Sequence, residues 1–379
     1  MNSNTRITLE NPKKQKIYYC NRALRTSNRR NKMRNFFEDQ YINIDQQLIN
    51  LVSEISEYKG MLTAYQEQKP DIFTCLEKAI PLQYIKNYIS VYEDIKVSNK
   101  RLKELILDDM IPQSISEDAI FCYYETLALV QKKSCTFSIS PDTIQELHFQ
   151  LIHYNTSDSA KWRQKPFSIL GIPEKGMHTI CYRPLPPENI PQAVEQLCNQ
   201  YNLLNRKKEL PTLILIARFI LNFYCIIPFS QGNGRLTLML MQLLLVKSGY
   251  TFVKYVCLDE YIKKRESEYY EAIFKSSLNW YCNGHNISFW LQEFLMIILE
   301  VYKDLHCRVL DSICKYTKVE RIQNFIHNQK QPFTKECIRS IYPDIAESTI
   351  SKTLTNLQLL GEIKLISKGR NARWMTVQS

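Results

Sequence analysis

The stretch LPTLILIARFILNFYCIIPFSQGNGRLTLMLMQLLLVK, from Leu210 to Lys247, decides the fold. Its first half is almost wholly apolar and runs unbroken between Pro211 and Pro228. As a helix that run spans only about 24 Å at ~1.5 Å per residue, short of a hydrocarbon core of roughly 30 Å. Arg218 and Asn222 also interrupt it. It therefore reads as a helix buried in protein. A second apolar helix begins near Leu236, and between the two lies Gly232-Asn233-Gly234-Arg235. The whole chain has only 9 glycines, so two in one tetrapeptide mark a turn where the backbone bends tightly or approaches a ligand. The helix from Leu236 would aim its free N–H groups and positive dipole end into that turn, forming a cradle for phosphate. Arg235 adds a bidentate phosphate donor and Asn233 an amide donor. A turn between helices needs glycine in any case, so the tetrapeptide gains weight only from its surroundings.

Upstream, apolar residues from Phe36 to about Val130 recur mainly at helical spacing, as at Leu48, Leu51, Val52 and Ile55, with breaks expected at Pro70 and Pro81. Ser140-Pro141-Asp142 starts a further helix through Leu147, His148 and Leu151. The run SILGIPEKGMHTICY, 168–182, reads as a β-hairpin. Pro184, Pro186, Pro187 and Pro191 then stop regular structure before a helix through Ala193–Tyr201. Beyond the central pair, a long amphipathic helix covers Asn286–Asp304.

The last seventy residues have a different pattern. Helices are expected at Val319–His327 and Thr334–Ile341, and a third is capped by Ser348 and ends at Gly361. Strands follow at Glu362–Ile366 and Arg373–Val377. This order resembles a winged-helix domain. Lys352 on the third helix and Lys368, Arg370 and Arg373 at the wing are the candidate DNA contacts. Winged helices also serve as protein-interaction modules, so the alternative partner is another protein.

Charge supports the same division. The chain has 379 residues and a net charge of +11. Residues 1–35 contribute +9, residues 310–379 contribute +5, and the large middle is −3. A uniformly cationic nucleic-acid enzyme is excluded; the basicity belongs to a tail and a terminal unit. The tail lacks an apolar stretch after its charges, so it is no secretory signal, and it reads as a disordered arm or as residues preceding a start at Met33. The 12 cysteines form no CxxC pair, and Cys282-x-x-His285 lacks a second doublet at zinc spacing. Reduced thiols in a cytoplasmic protein are expected.

The segment Ile227-Pro-Phe-Ser-Gln-Gly-Asn-Gly-Arg-Leu-Thr-Leu238 resembles the Fic-family signature H-P-F-x-[D/E]-G-N-G-R-x-x-R. The likeness extends to Leu147–His148, to Trp162–Arg163 before the hairpin and to Pro186–Pro187…Ile190–Pro191 after it. Leu258 through Arg265…Tyr269–Tyr270, Trp290…Phe294–Leu295, Leu51–Gly60–Leu62 and Ser90-x-x-Glu93 also resemble the family, so the resemblance covers about 36–305. It implies a mainly α Fido-type helical bundle with a β-hairpin flap, followed by the winged helix. The domains expected are a tail at 1–35, an N-terminal helical region at 36–130, the Fido core at 131–308 and the winged helix at 309–379.

What the resemblance implies for function is transfer of AMP from ATP–Mg2+ to a protein hydroxyl, with the target held along the flap at 168–182. Gly232, Asn233, Gly234 and Arg235 would hold the phosphates, and Tyr269 and Tyr270 would face the adenine or simply pack. Ser90 and Glu93 would lie on an inhibitory helix.

Three positions depart from the signature. The proton-accepting histidine is Ile227, the magnesium-binding acid is Gln231, and the second arginine is Leu238. An aliphatic side chain accepts no proton, and a neutral amide holds a hard dication less well than a carboxylate, which puts Mg2+ in doubt. Glu93 has lost its partner arginine, since that position is Leu238. Tyr224, Cys225, His148 and His178 are the candidate replacement bases. The leading reading is a Fic-type regulator that binds nucleotide or target with activity lost or weakened. The alternatives are transfer by an unconventional base, or a DNA-binding regulator on a Fido scaffold. A homodimer and no membrane partner complete the expectations.

Overall fold

A computed structural model describes residues 35–37, 45–91, 97–107, 110–134, 136–154, 160–166, 169–170, 180–182, 184–313, 317–329, 331–369 and 372–377. The expected tail therefore lies outside the described residues, apart from Asn35.

The N-terminal region is helical, as its periodicity predicts. Helix α1, Gln46–Gln68, is capped by Asp45, whose carboxylate accepts from the Leu48 N–H, and it buries Leu48, Leu51, Ile55 and Leu62. Helix α2, Pro70–Val91, begins at one proline and continues through the other. The expected break at Pro81 is thus wrong. A proline inside a helix removes one hydrogen bond, but Ile80, Tyr84 and Ile85 are fully buried beside it and that packing holds the helix together. Helices α3, Asn99–Leu107, and α4, Ile115–Lys133, complete the region. Arg101 and Glu117 fasten them through a paired contact at 3.1 and 2.9 Å.

Helix α5, Pro141–Ile152, starts where expected, with Ser140 accepting from the Thr143 N–H. Strands β1, Ile169–Leu170, and β2, Ile180–Tyr182, pair antiparallel and form the base of the predicted hairpin; its tip lies outside the described residues. Helix α6 covers Ile190–Lys207. It starts before the expected Ala193, because Pro191 falls in the first turn, where a missing N–H costs nothing.

Helices α7, Thr212–Ile226, and α8, Asn233–Lys247, are the two apolar helices. Around them pack α6, α9 (Leu258–Lys264), α10 (Glu266–Ser277) and α11 (Ser288–Ile313). α11 outruns its predicted end at Asp304 because Leu305 and Val309 remain buried in the same core. The polar interruptions of α7 have structural work. Arg218 donates to the Phe37 carbonyl. Asn222 donates to the Phe36 carbonyl at 2.9 Å and accepts from the Trp280 indole at 2.8 Å. Both polar side chains thus tie α7 to the Phe36–Phe37 segment. Among the described residues no helix is long and apolar enough to cross a membrane.

A second core, built on Ile322, Ile326, Ile338, Ile350, Leu354, Leu357 and Trp374, belongs to the C-terminal unit. Helix α12, Lys318–His327, opens on a capping box between Thr317 and Glu320. Strand β3, Phe333–Thr334, precedes helix α13, Lys335–Ile341. Helix α14, Glu347–Leu359, then leads to strands β4, Ile363–Ser367, and β5, Arg373–Thr376. The sheet order is β3-β5-β4, all antiparallel. Two details differ from expectation. Ser348 is not the cap, because burial of Ile345 and Ile350 sets the start at Ala346, which has no capping side chain. The short third strand β3 carries no sequence signal at two residues in length.

Candidate functional site

The junction of α7 and α8 presents the turn. Ile227 ends α7 with φ +46 and ψ 72, a left-handed conformation that a β-branched residue rarely adopts. It also precedes Pro228, which favours extended backbone at this position. Arg163 holds it there. This buried guanidinium donates to the Ile227 carbonyl at 2.7 Å and to the Lys165, Leu185 and Ile226 carbonyls, while its own N–H reaches the Pro228 carbonyl at 2.9 Å. Its charge lies against the carbonyl end of α7, where a cation is favoured. The side chain of Ile227 is buried.

The turn is then closed by Asn233. Its amide oxygen accepts from the Phe229 N–H at 3.0 Å, and its NH2 donates to the Phe229 carbonyl at 2.8 Å. The asparagine expected to donate to phosphate spends its side chain on holding the loop instead. Gly232 sits at φ +76, and a Cβ there would come within 3.1 Å of Ile152. Gly234 faces open space. Asn233, Gly234 and Arg235 form the first turn of α8, and no side chain caps that end. Leu236 makes the first helical bond, to Gly232 at 3.0 Å, so the backbone donors before it have no acceptor within the helix. Replacing Gly232 with Ala should cost about 1–3 kcal/mol of stability from strain alone, read as a lower unfolding midpoint. An unchanged midpoint would mean that the left-handed turn is not required.

Arg235 reaches sideways. Its Nη1 donates to the hydroxyls of Tyr88 at 3.1 Å and Tyr154 at 3.0 Å. Tyr88, from α2, stacks on Tyr123 of α4 with ring centroids 4.4 Å apart. Tyr123 in turn donates to Asp259 at 2.7 Å. Burial pushes the Asp259 carboxyl up to about 6, against the opposing pull of that hydrogen bond. Tyr88 and Tyr154 carry no motif, so they were not legible in the sequence; only the structure brings them to Arg235.

His148 lies behind the turn. Its ring stacks on Phe229 at 3.6 Å between centroids. Nδ1 accepts from the Ala160 N–H at 3.0 Å, which fixes the proton on Nε2, and Nε2 donates to the Gln231 carbonyl at 3.0 Å. Both nitrogens are engaged, and burial holds the group down at about 4. The unfolded histidine, near ~6.5, takes up a proton that the folded one refuses. His148 therefore stabilises the fold fully above about 6.5 and loses that contribution as pH falls toward 4. We expect the unfolding midpoint to drop across that window and His148→Gln to flatten the drop; identical slopes would contradict it.

The remaining predicted residues divide. Leu238 packs against the main core, and Gln231 is half-buried beside the turn. Tyr269 is a core residue, edge-on to Trp290 at 5.2 Å, and Tyr270 packs edge-on against it at 5.4 Å. Tyr269 is thus packed and buried, as the packing alternative expects. Cys225 is fully buried, and burial pushes the Tyr224 phenol well above its ordinary range. Ser90 donates to the Asn87 carbonyl and accepts from Lys263 at 2.6 Å. Glu93, His178 and Arg370 lie outside the described residues. In the C-terminal unit Lys352, Lys368 and Arg373 are exposed. Among the described residues no group of His, Cys, Asp and Glu is arranged to hold a metal.

Residues 138–245 match the Fic/DOC family, and the chain carries a Fic domain there. Among solved structures, a Fic family protein from Desulfovibrio desulfuricans G20 is similar over 90% of this chain and 99% of that one, with a TM-score of 0.55 and 14% identity. A Fic domain containing signaling protein from Bacteroides thetaiotaomicron VPI-5482 is similar over 68% of this chain and 94% of that one, with a TM-score of 0.53 and 17% identity. At these identities the likeness establishes the helical Fido fold. No curated protein matches the chain.

Proposed function

We infer that this chain is a Fic-domain protein that holds a nucleotide phosphate without efficient adenylyl transfer, and that its C-terminal unit reads DNA. Ile227 carries the first half. The family places its proton acceptor at this position, and a buried aliphatic side chain has no lone pair to take a proton from an attacking hydroxyl. Losing a general base costs ~10²–10⁴ in rate. His148 cannot substitute, since both ring nitrogens are occupied.

Two features support a triphosphate at the turn: the N-terminal end of α8 has no capping side chain, and Gly234 opens onto free space. Arg235 supplies the cation. Mg2+ fits poorly, because the motif position that should offer a carboxylate offers the neutral Gln231, and no step is assigned to the metal. The base of the hairpin, β1–β2, is the element on which a target segment would pair.

For the C-terminal unit, helix–strand–helix–helix followed by a hairpin supports the winged-helix reading. Helix α14 exposes Ser348, Lys352, Thr355 and Asn356, groups suited to base edges and phosphates. Two titrations of the full chain test the reading. Calorimetry should show saturable ATP binding, weakened roughly ten-fold or more by Arg235→Ala. Duplex affinity should fall with salt, with a log–log slope of roughly −3 to −4 if Lys352, Lys368, Arg370 and Arg373 each meet a phosphate. Absent ATP heat would remove the nucleotide half, and salt-independent or absent duplex binding would remove the DNA half.

A further inference from the structure

The phosphate turn and the C-terminal unit touch the same helix. On one side of α2, Tyr84 and Tyr88 are buried in the main core. The Tyr84 hydroxyl accepts from the Leu258 N–H at 3.2 Å, and the Tyr88 hydroxyl accepts from Arg235. On the other side, the Gln83 amide donates to the Ser340 carbonyl, and Lys86 pairs with Glu336. Both partners lie on α13. That helix is in turn fastened to α14, where Lys335 donates to the Ser351 hydroxyl at 2.9 Å and Arg339 pairs with Glu347 at 3.4 Å. Ser351 is the immediate neighbour of Lys352, the candidate DNA contact on that helix. A further contact joins the two units at the base, where Tyr342 donates to Asp311 on α11.

We propose that α2 couples occupancy of the phosphate turn to DNA binding by the C-terminal unit, an inference that rests on the nucleotide and DNA readings above. The physical step is a competition for one guanidinium. In the structure Arg235 divides Nη1 between two neutral phenol oxygens. A phosphate bound at the end of α8 is a charged acceptor, and charge-assisted bonds are about twice as strong as neutral ones. It draws Arg235 away from Tyr88. The bond from Arg235 to Tyr88 is then broken, and the stack of Tyr88 on Tyr123 readjusts. Gln83 and Lys86 lie within five residues of Tyr88, about 7.5 Å along the helix axis, so a tilt of α2 is felt at Ser340 and Glu336. Two arrangements of α2 follow from this step, the one in the structure with Arg235 on Tyr88 and one with Arg235 on phosphate, and both sites bias the choice between them. Because coupling between binding sites is reciprocal, DNA must alter ATP affinity by the factor by which ATP alters DNA affinity.

The test uses the full chain, a fluorescent random-sequence duplex and ATP. Duplex affinity is measured by anisotropy with and without saturating ATP, and ATP affinity by calorimetry with and without duplex. We expect each ligand to shift the affinity of the other by the same factor, about 5-fold or more. The variant Gln83→Ala/Lys86→Ala, which touches neither ligand, should bind each alone as wild type does while the factor falls to one. Tyr88→Phe should also abolish it. Two ligands that bind independently, or coupling that survives in Gln83→Ala/Lys86→Ala, would overturn the proposal and leave the individual binding functions standing. A chain that binds ATP or duplex not at all would fail the reading beneath it, and the coupling would fall with it.

Discussion

The variant Ile227→His/Gln231→Asp/Leu238→Arg is expected to transfer AMP from ATP to protein about 10²–10⁴-fold faster than the wild-type chain. The scaffold around these positions is intact. Arg163 and Asn233 hold the turn, Gly232 keeps its left-handed conformation, and α8 begins without a capping side chain. Histidine also suits the backbone at 227 better than isoleucine does, because it visits φ near +46 more readily than a β-branched residue. The substitution thus relieves strain while supplying a base. Leu238 is only half-buried, so an arginine there has a path to solvent and to the end of the triphosphate. Asp at 231 restores the charge that a hard dication prefers. Labelled ATP, followed on denaturing gels, is the measurement. A wild-type rate close to that of the restored chain would show that another group removes the proton.

The second large effect is expected at Arg163. Its guanidinium answers carbonyls from Ile226, Ile227, Lys165 and Leu185, and it is almost wholly buried. Methionine fills similar volume but donates nothing, and each buried carbonyl left without a donor costs about 1–3 kcal/mol. Arg163→Met should therefore lower the stability of the main core by about 3 kcal/mol or more, seen as an earlier first transition in denaturant. It should also release Ile227 from its left-handed conformation and weaken ATP binding. A chain that unfolds as wild type does would mean that Arg163 does not hold the turn.

Much of this arrangement was readable from residue patterns. The two apolar helices, the glycine turn between them, the cap at Ser140 and the separate C-terminal unit each follow from local rules that tertiary packing did not override. What escaped was set by distant contacts. Pro81 reads as a break, but buried neighbours carry α2 through it. Asn233 is a local exception: its side chain also bonds the backbone of Phe229 four residues earlier, a use that carries no pattern of its own. Tyr269 carries no sequence signal for its edge-on packing against Trp290, which lies on a separate helix. Tyr88 and Tyr154 show no signal at all, because only the meeting of α2, the end of α5 and α8 gives them a role.

The charge distribution takes on meaning beside this. The −3 middle of the chain houses the glycine turn, so on the proposed reading anion affinity there is local, from one arginine and one helix end, and the +5 of the last seventy residues is the charge proposed to meet a duplex.

Binding without transfer is tested in a single reaction. Wild-type chain is incubated with ATP labelled on the α-phosphate in a protein lysate, and aliquots are read on a native filter and on a denaturing gel. We predict label retained by the native chain and none above background on denatured protein. Covalent label at a rate matching the Ile227→His/Gln231→Asp/Leu238→Arg chain, or no label in either readout, would contradict it.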